Sequence, residues 1–355
     1  MPELFDRLTQ RSVTFRNRIG ISPMCEYSAD DGLPNDWHFV HLGSRAVGGA
    51  GLVITEATAV EPEGRISPGD TGIWNDAQTD AWARIVGFME QHGAVPGIQL
   101  AHAGRKASVS RPWEGDVGIS PEQGGWQTVA PSAKPFSEKL TMPRALSHEE
   151  IGGLTAKFVE ATRRSLAAGF KVIELHAAHG YLFHEFLSPM SNERQDTYGG
   201  SFDNRVRFLL ETAISVRAVL PERLPLWVRI SCTDWVDGGW TIEESVELAR
   251  RLKLEGVDCI DCSSGGNVPH VRIPVGPGYQ VPFSARIKRE ANIQTAAVGM
   301  ITQSEQANHI IKSGDADMTL IARQALVDPY WPLHAAKELG KTDALKPPVQ
   351  YARAL

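Results

Sequence analysis

At 355 residues the chain has room for two average domains or for one large α/β barrel. Its 42% hydrophobic and 22% charged residues exclude a disordered chain, and no apolar run reaches the ~18–20 residues of a membrane helix. The net charge of −6, with an isoelectric point near 6.0, leaves no basic face for a nucleic-acid partner.

The opening Met1-Pro2-Glu3-Leu4-Phe5-Asp6 lacks the basic-then-apolar order of a secretion signal, so a cytoplasmic protein is expected. Val13–Phe15 reads as a strand or hairpin able to plug the bottom of a barrel. From Asn17 onward, strand and helix patterns alternate. Apolar runs predict strands over Arg18–Pro23, Gly51–Glu56, Val95–Leu100, Lys171–Leu175, Leu226–Ile230, Cys259–Cys262, Gln294–Val298 and Met318–Ile321. Amphipathic stretches between them predict helices, among them Ala77–His92, Glu149–Ala168, Asp203–Val219 and Ile242–Glu255. Ser147 and Thr241, each followed by glutamates, mark two helix starts, and Gly93, Gly169 and Gly256 mark helix ends.

Eight such alternations predict an α/β protein: a (β/α)8 TIM barrel with an N-terminal hairpin plug, forming a single domain over 1–355. The competing doubly wound sheet usually has a glycine-rich turn after its first strand, where this chain has Ile21-Ser22-Pro23-Met24-Cys25. Three connections are too long for plain loops: Gly104–Leu146, Gly180–Phe202 and Gly265–Phe283. All three leave strand C-terminal ends, where barrel enzymes build their sites, so they are expected to cap that face. The four cysteines fall in or beside strands, which suits a reducing compartment. Cys259-Ile260-Asp261-Cys262 has redox or zinc spacing, but residues three apart on a strand face opposite sides, and no second ligand pair follows.

The strand ends carry the chemistry. The fourth strand leads into His176-Ala177-Ala178-His179-Gly180-Tyr181, two imidazoles and a phenol that can clamp a substrate oxygen or bind a metal. Gly299-Met300 and Ala322-Arg323 follow strands seven and eight, the recurrent phosphate site of barrels, with Arg323 as a charged fork. Gln99 and Arg229, at the ends of strands three and five, suit a planar hydrogen-bonding body above that phosphate. A flavin and a sugar phosphate both remain open on these residues alone.

In this order the motifs resemble the old yellow enzyme family of FMN-dependent ene-reductases, in particular its xenobiotic reductase and thermostable NADPH dehydrogenase subclass. The likeness rests on Asn17-Arg18-Ile19, Ser22 to Tyr27, Glu56-Ala57, Gln99 to Arg105, Glu174 to Leu182, Phe186 to Pro189, Tyr198 to Ser201, Asn204-Arg205 and Asp328 to Pro332. It implies non-covalent FMN, with Ser22, Pro23, Met24, Cys25 and Ala57 lining the isoalloxazine. Gln99 is then at its pyrimidine edge, Arg229 at its N1–O2 side, and Gly299, Met300, Ala322 and Arg323 at its phosphate. The resemblance further implies that NADPH reduces the flavin and that small activated alkenes then enter the same site in a ping-pong cycle. His176 and His179 would bond the alkene's carbonyl or nitro oxygen, N5 would pass hydride to the β-carbon, and Tyr181 would protonate the α-carbon. Cys25 and Tyr27 would touch substrate. Some relatives carry an aromatic where Val298 stands, which implies a wider pocket near the phosphate.

Pro348-Val349-Gln350-Tyr351-Ala352-Arg353 resembles the segment that sends an arginine into a neighbouring active site, which implies a homodimer or homotetramer with residues 341–355 at the interface. One rival reading is a metal-dependent hydrolase or aldolase using His176, His179 and Glu185, for which no supporting Asp stands at another strand end. The other is a non-catalytic flavin-binding protein, which leaves Tyr181 unexplained. No metal is expected. His38, His41, His92 and His309 are expected to be surface or packing residues.

Overall fold

The computed structural model describes residues 1–351 and 353. Eight parallel strands close into a barrel in chain order: β1 (Ile19–Ile21), β2 (Leu52–Ala59), β3 (Val95–Ala101), β4 (Val172–Ala177), β5 (Leu226–Ser231), β6 (Cys259–Ser263), β7 (Gln294–Ala297) and β8 (Met318–Ile321). Each strand pairs with its successor, and β8 pairs with β1 to close the ring. All eight predicted strands are present. The reason they form is visible in their burial: β2, β4, β5 and β6 are covered on both faces, so each reads as a continuous buried run, not an alternating one.

Helices α1 (Asp36–Val47), α2 (Asp76–Gln91), α3 (His148–Ala168), α4 (Leu182–Leu187), α5 (Phe202–Val219), α6 (Ile242–Leu254), α7 (Val281–Ala291), α8 (Ser304–Ser313), α9 (Arg323–Val327) and α10 (Trp331–Glu338) fill the connections. The predicted caps do their work. Ser147 and Thr241 accept from the amides of Glu150 and Glu244, whose side chains reach back to close two capping boxes. Gly169 ends α3 at φ 98°, a left-handed position that favours glycine. The short helices α4 and α9, directly after two of the candidate site segments, had no signal in the periodicity.

Below the barrel, Leu8–Gln10 and Val13–Phe15 form the antiparallel hairpin expected as a plug. Gln10 donates to Gln294 at 2.7 Å and accepts from the Trp227 indole at 2.7 Å, tying the hairpin to the N-terminal ends of β5 and β7. Phe15 packs on Trp227 with ring centroids 6.4 Å apart, and both are fully buried. This end is sealed by apolar contact and satisfied amides, which leaves the opposite end for chemistry. No helix among the described residues is long and apolar enough to cross a membrane.

One sequence expectation needs correction. β4 runs two residues past Leu175, so His176 is part of the strand and pairs in register with Arg229 of β5. Hydrogen bonding to β5 extends the strand where composition suggested a loop. Of the two roles expected for His38 and His41, surface or packing, both residues take the second: they are buried, with His38 Nε2 2.9 Å from Glu56 and His41 Nε2 3.4 Å from Glu26.

Candidate active site

The end of β4 is built on close backbone approach. His179 has φ 62° and Gly180 φ 75°, so the chain turns sharply back toward the mouth. A Cβ on Gly180 would sit 2.2 Å from the carbonyl oxygen of Gly266, in the loop after β6, so only glycine lets these two loops touch. His179 is then held at two points. Its amide donates to Ser231 Oγ at 2.9 Å, and its Nε2 lies 2.6 Å from Ser263 Oγ. The His176 ring stands edge-on to His179 at 5.1 Å and to Tyr181 at 5.0 Å between centroids. Within the chain, His176 Nδ1 is buried and has no hydrogen-bond partner. Tyr181 precedes α4 and is half-buried.

Burial is the main cause that pushes the pKa of both imidazoles well down, with the Arg229 charge second. Each ring is therefore neutral near pH 7 and offers one N–H. Burial likewise raises the Tyr181 phenol well above its usual range, so it keeps its proton. Burial also raises the Cys25 thiol, which makes it a neutral packing group and not a nucleophile.

Three buried histidines repeat one device beneath these loops. His38 Nδ1 accepts from the Asn35 amide, His102 Nδ1 from the Gly104 amide and His184 Nδ1 from the Gly180 amide, at 2.9–3.0 Å. This leaves each Nε2 facing a carboxylate: Glu56 at 2.9 Å, Glu61 at 3.1 Å and Asp234 at 3.0 Å. Each pair pins a strand-end loop by two contacts, and Asp234 of the third also lines, with Tyr181, a cavity of about 930 Å³. The motifs around His102 and His184 gave no hint of this, because the carboxylates come from distant segments.

The residues expected to bind a cofactor divide into two groups. Arg229, Gly299, Met300, Ala322 and Arg323 line one cavity of about 380 Å³, together with Ser263 and Gln280. The Arg323 side chain is exposed there, and Gly299 has φ 125°. Ser22, Ala57 and Gln99 are buried at the ends of β1, β2 and β3, while Pro23, Met24 and Cys25 are half-buried in the segment after β1. Tyr27 and Tyr181 line a second cavity of about 930 Å³ beneath the long loops after β3 and β6. His179 and His176 stand between the two: the first touches Ser263 of one cavity and the second touches Tyr181 of the other. Arg353 is exposed and lines neither.

Three charged or titratable groups near the site, Glu174, Asp261 and Lys106, were given no role by the sequence reading. Gln99 donates to Glu174 at 2.8 Å, which fixes its amide and leaves Oε1 as the free end. Glu174, buried inside the barrel, is pushed up to about 8 by burial and by the Asp261 charge. Asp261 lies 3.0 Å from Arg229 and is raised to about 6, chiefly by burial. Lys106 reaches the mouth from the turn after β3, and burial lowers it to about 8. Strand periodicity could have flagged Glu174 and Asp261 as charges in apolar runs. Glu185, weighed as a metal ligand, instead accepts from the Arg105 amide at 2.8 Å, and a Cβ on Gly104 would lie 2.1 Å from its Oε1. Among the described residues, no group of three or more His, Cys, Asp or Glu is arranged to hold a metal ion.

These residues suit a flavin mononucleotide. His176 Nδ1 and Ser22 Oγ are buried without partners within the chain, and the cavity of about 380 Å³ presents both Arg229 and Arg323. The fold and the mouth define a barrel oxidoreductase. The chain belongs to the NADH:flavin oxidoreductase / NADH oxidase family, whose model matches residues 3–342. It is an NAD(P)H:flavin oxidoreductase of the old yellow enzyme type. It is 49% identical over 352 residues to an NADPH dehydrogenase of Geobacillus sp. (strain WCH70), covering 99% of this chain and 98% of that one. It overlays with a TM-score of 0.78 on the old yellow enzyme homologue from Zymomonas mobilis, at 27% identity, covering 98% of this chain and 95% of that one. A 2-naphthoyl-CoA reductase shares the fold at TM-score 0.86 and 24% identity; the alignment covers 97% of this chain and 53% of that longer one.

Proposed function

We propose that this enzyme holds FMN non-covalently at the barrel mouth, accepts reducing equivalents from NADPH, and reduces the C=C bond of activated alkenes such as α,β-unsaturated ketones and aldehydes, maleimides and nitroalkenes. The carrying observation is the pair of neutral, mutually perpendicular imidazoles beside the protonated Tyr181, with His176 Nδ1 left without a partner. In this reading Ser22, Pro23, Met24, Cys25, Ala57, Gln99 and Arg229 bind the ring system, and Gly299, Met300, Ala322 and Arg323 bind the phosphate. Bound FMN supplies the hydride for the β-carbon.

The chain's own groups do the rest. Two imidazole N–H groups polarise the substrate oxygen and stabilise negative charge that develops there. Tyr181 keeps its proton until the α-carbon needs it. Tyr27 and Cys25 bound the alkene on the β1 side. Two neighbouring cavities, one edged by Arg323 and one by the two tyrosines, support separate places for phosphate and substrate. A homodimer or homotetramer in which Arg353 reaches a neighbouring site belongs to the same proposal, as does a cytoplasmic location, supported by four free thiols.

The test begins with the purified protein: it should be yellow, release FMN on denaturation and oxidise NADPH faster when cyclohex-2-enone is added. The double variant His176→Ala, His179→Ala should lose alkene reduction far more than flavin binding. A colourless protein that binds no FMN, or a double variant with undiminished alkene reduction, would sink the proposal.

A further inference from the structure

Lys106 has a position that the catalytic reading does not use. It ends the turn Gly104–Lys106, whose backbone is anchored twice: the Gly104 amide donates to His102 Nδ1 at 3.0 Å and the Arg105 amide to Glu185 Oε1 at 2.8 Å. From this fixed base the side chain crosses the mouth. Its Nζ donates to the His179 carbonyl at 2.9 Å and to the Gly266 carbonyl at 3.0 Å. It also stands 5.2 Å from the centre of the Tyr181 ring and 4.5 Å from that of Phe136, and it lines the larger cavity. His179 and Gly266 both lie in the loops beyond the strand ends, so neither carbonyl takes part in a strand ladder. One ammonium thus bridges the two loops that the glycine contact brings together.

We propose that Lys106 is a positioning residue for alkene reduction: its charged, doubly hydrogen-bonded ammonium locks the His179–Tyr181 turn so that imidazole and phenol address the same substrate. This rests on the reading of those groups as oxygen clamp and proton donor. Ser231 fixes the His179 amide and Ser263 its ring, and Lys106 supplies the third point by fixing its carbonyl. Charge-assisted bonds of this kind are about twice as strong as neutral ones, so the turn is tightest while Lys106 is protonated. The charge also helps to keep both imidazoles neutral, behind burial and Arg229. The groups facing Lys106 are Arg105 on its own turn, Glu185 from α4, Asp116 from the long loop after β3, and His176, His179 and Tyr181 at the end of β4.

The experiment uses the full-length, FMN-loaded enzyme with Lys106→Met, which keeps the stem but removes charge and donors, and Lys106→Arg, which keeps both and does not titrate below about pH 12. For cyclohex-2-enone, Lys106→Met should lose about tenfold or more in kcat/KM, mostly through kcat, as expected for a lost charge-assisted bond. Lys106→Arg should stay near wild type. Wild-type activity should fall as pH rises through about 8, where Lys106 loses its proton, and Lys106→Arg should lack that limb. In ¹⁵N-histidine NMR the His179 ring should protonate at higher pH in Lys106→Met than in wild type. Unchanged kcat/KM with an unshifted His179 titration, or equal losses in both variants, would overturn the proposal. If Lys106→Met fails to fold, an alkaline limb retained in Lys106→Arg overturns it. A wild-type enzyme inert toward cyclohex-2-enone would instead defeat the underlying reading of the site.

Discussion

At the scale of single residues, the site works through groups kept from ionising. His176 and His179 sit where burial and a nearby guanidinium disfavour a second proton, and Tyr181 sits where burial disfavours losing its only one. Both shifts move the groups away from neutral pH, in opposite directions. A lowered imidazole pKa means that protonation comes only well below pH 6.5, so the neutral donors persist as the solution is acidified through that range. The rate profile for alkene reduction should therefore show no acid limb near pH 6.5, where an exposed histidine would give one. Tyr181→Phe should lower kcat for alkene reduction by about 10²–10⁴-fold, the usual worth of a positioned acid, while NADPH oxidation without alkene continues. Stopped-flow separation of the two half-reactions checks this. A Phe variant with wild-type alkene turnover would move the proton donor elsewhere.

At the scale of elements, the mouth is an assembly of loops that meet backbone to backbone. The turn after β4 touches the loop after β6 at Gly180 and Gly266, and His184 of α4 reaches back to accept from the Gly180 amide at 2.9 Å. Gly180→Ala puts a Cβ into the Gly266 carbonyl at a left-handed φ. It should cost about 1–3 kcal/mol from the backbone conformation alone, and more from the clash. A lower thermal midpoint with a weakened response to alkene is the expected result; an unchanged midpoint would show that the loops can part freely. The histidine–carboxylate braces explain how irregular segments hold still. In each, one ring nitrogen accepts from a nearby backbone amide and the other meets a carboxylate from a separate segment, which ties the local turn to the rest of the chain.

For the whole molecule, the barrel interior stores charge below the mouth. Glu174, Arg229 and Asp261 come from three consecutive strands; all three are buried, and Asp261 lies 3.0 Å from the Arg229 guanidinium. Glu174 is held protonated to about pH 8 by burial and by Asp261. A carboxyl group whose folded pKa is raised binds more protons in the folded than in the unfolded chain between ~4.3 and that value. Stability should therefore fall as pH rises through this window and level off above it. Glu174→Gln removes the titration, so its stability curve from denaturant unfolding should be flatter between pH 5 and 8. A slope identical to wild type would mean that the charge is relieved another way. The hairpin plug closes the far end, so this charged layer communicates with solvent only through the mouth.

The alternation of apolar runs with amphipathic stretches, the capping hydroxyls and the helix-ending glycines are local signals, and they were enough to place eight strands and the barrel around them. The ordered strand-end motifs were likewise enough to mark His176, His179, Tyr181 and the two arginines as residues of one mouth. Tertiary structure alone decided the rest. That His176 lies within β4 follows from its register with Arg229, and register is a pairing between strands that neither strand encodes by itself. Which carboxylate faces His38, His102 or His184, and that Lys106 joins the loops after β4 and β6, depend on segments as far apart as 160 positions in sequence. Such contacts leave no periodic trace, because a single polar residue in a loop looks the same whether it meets solvent or a distant carbonyl. The chain's own pattern built the barrel; the neutrality of its imidazoles and the bracing of its mouth came from burial and from long-range partners.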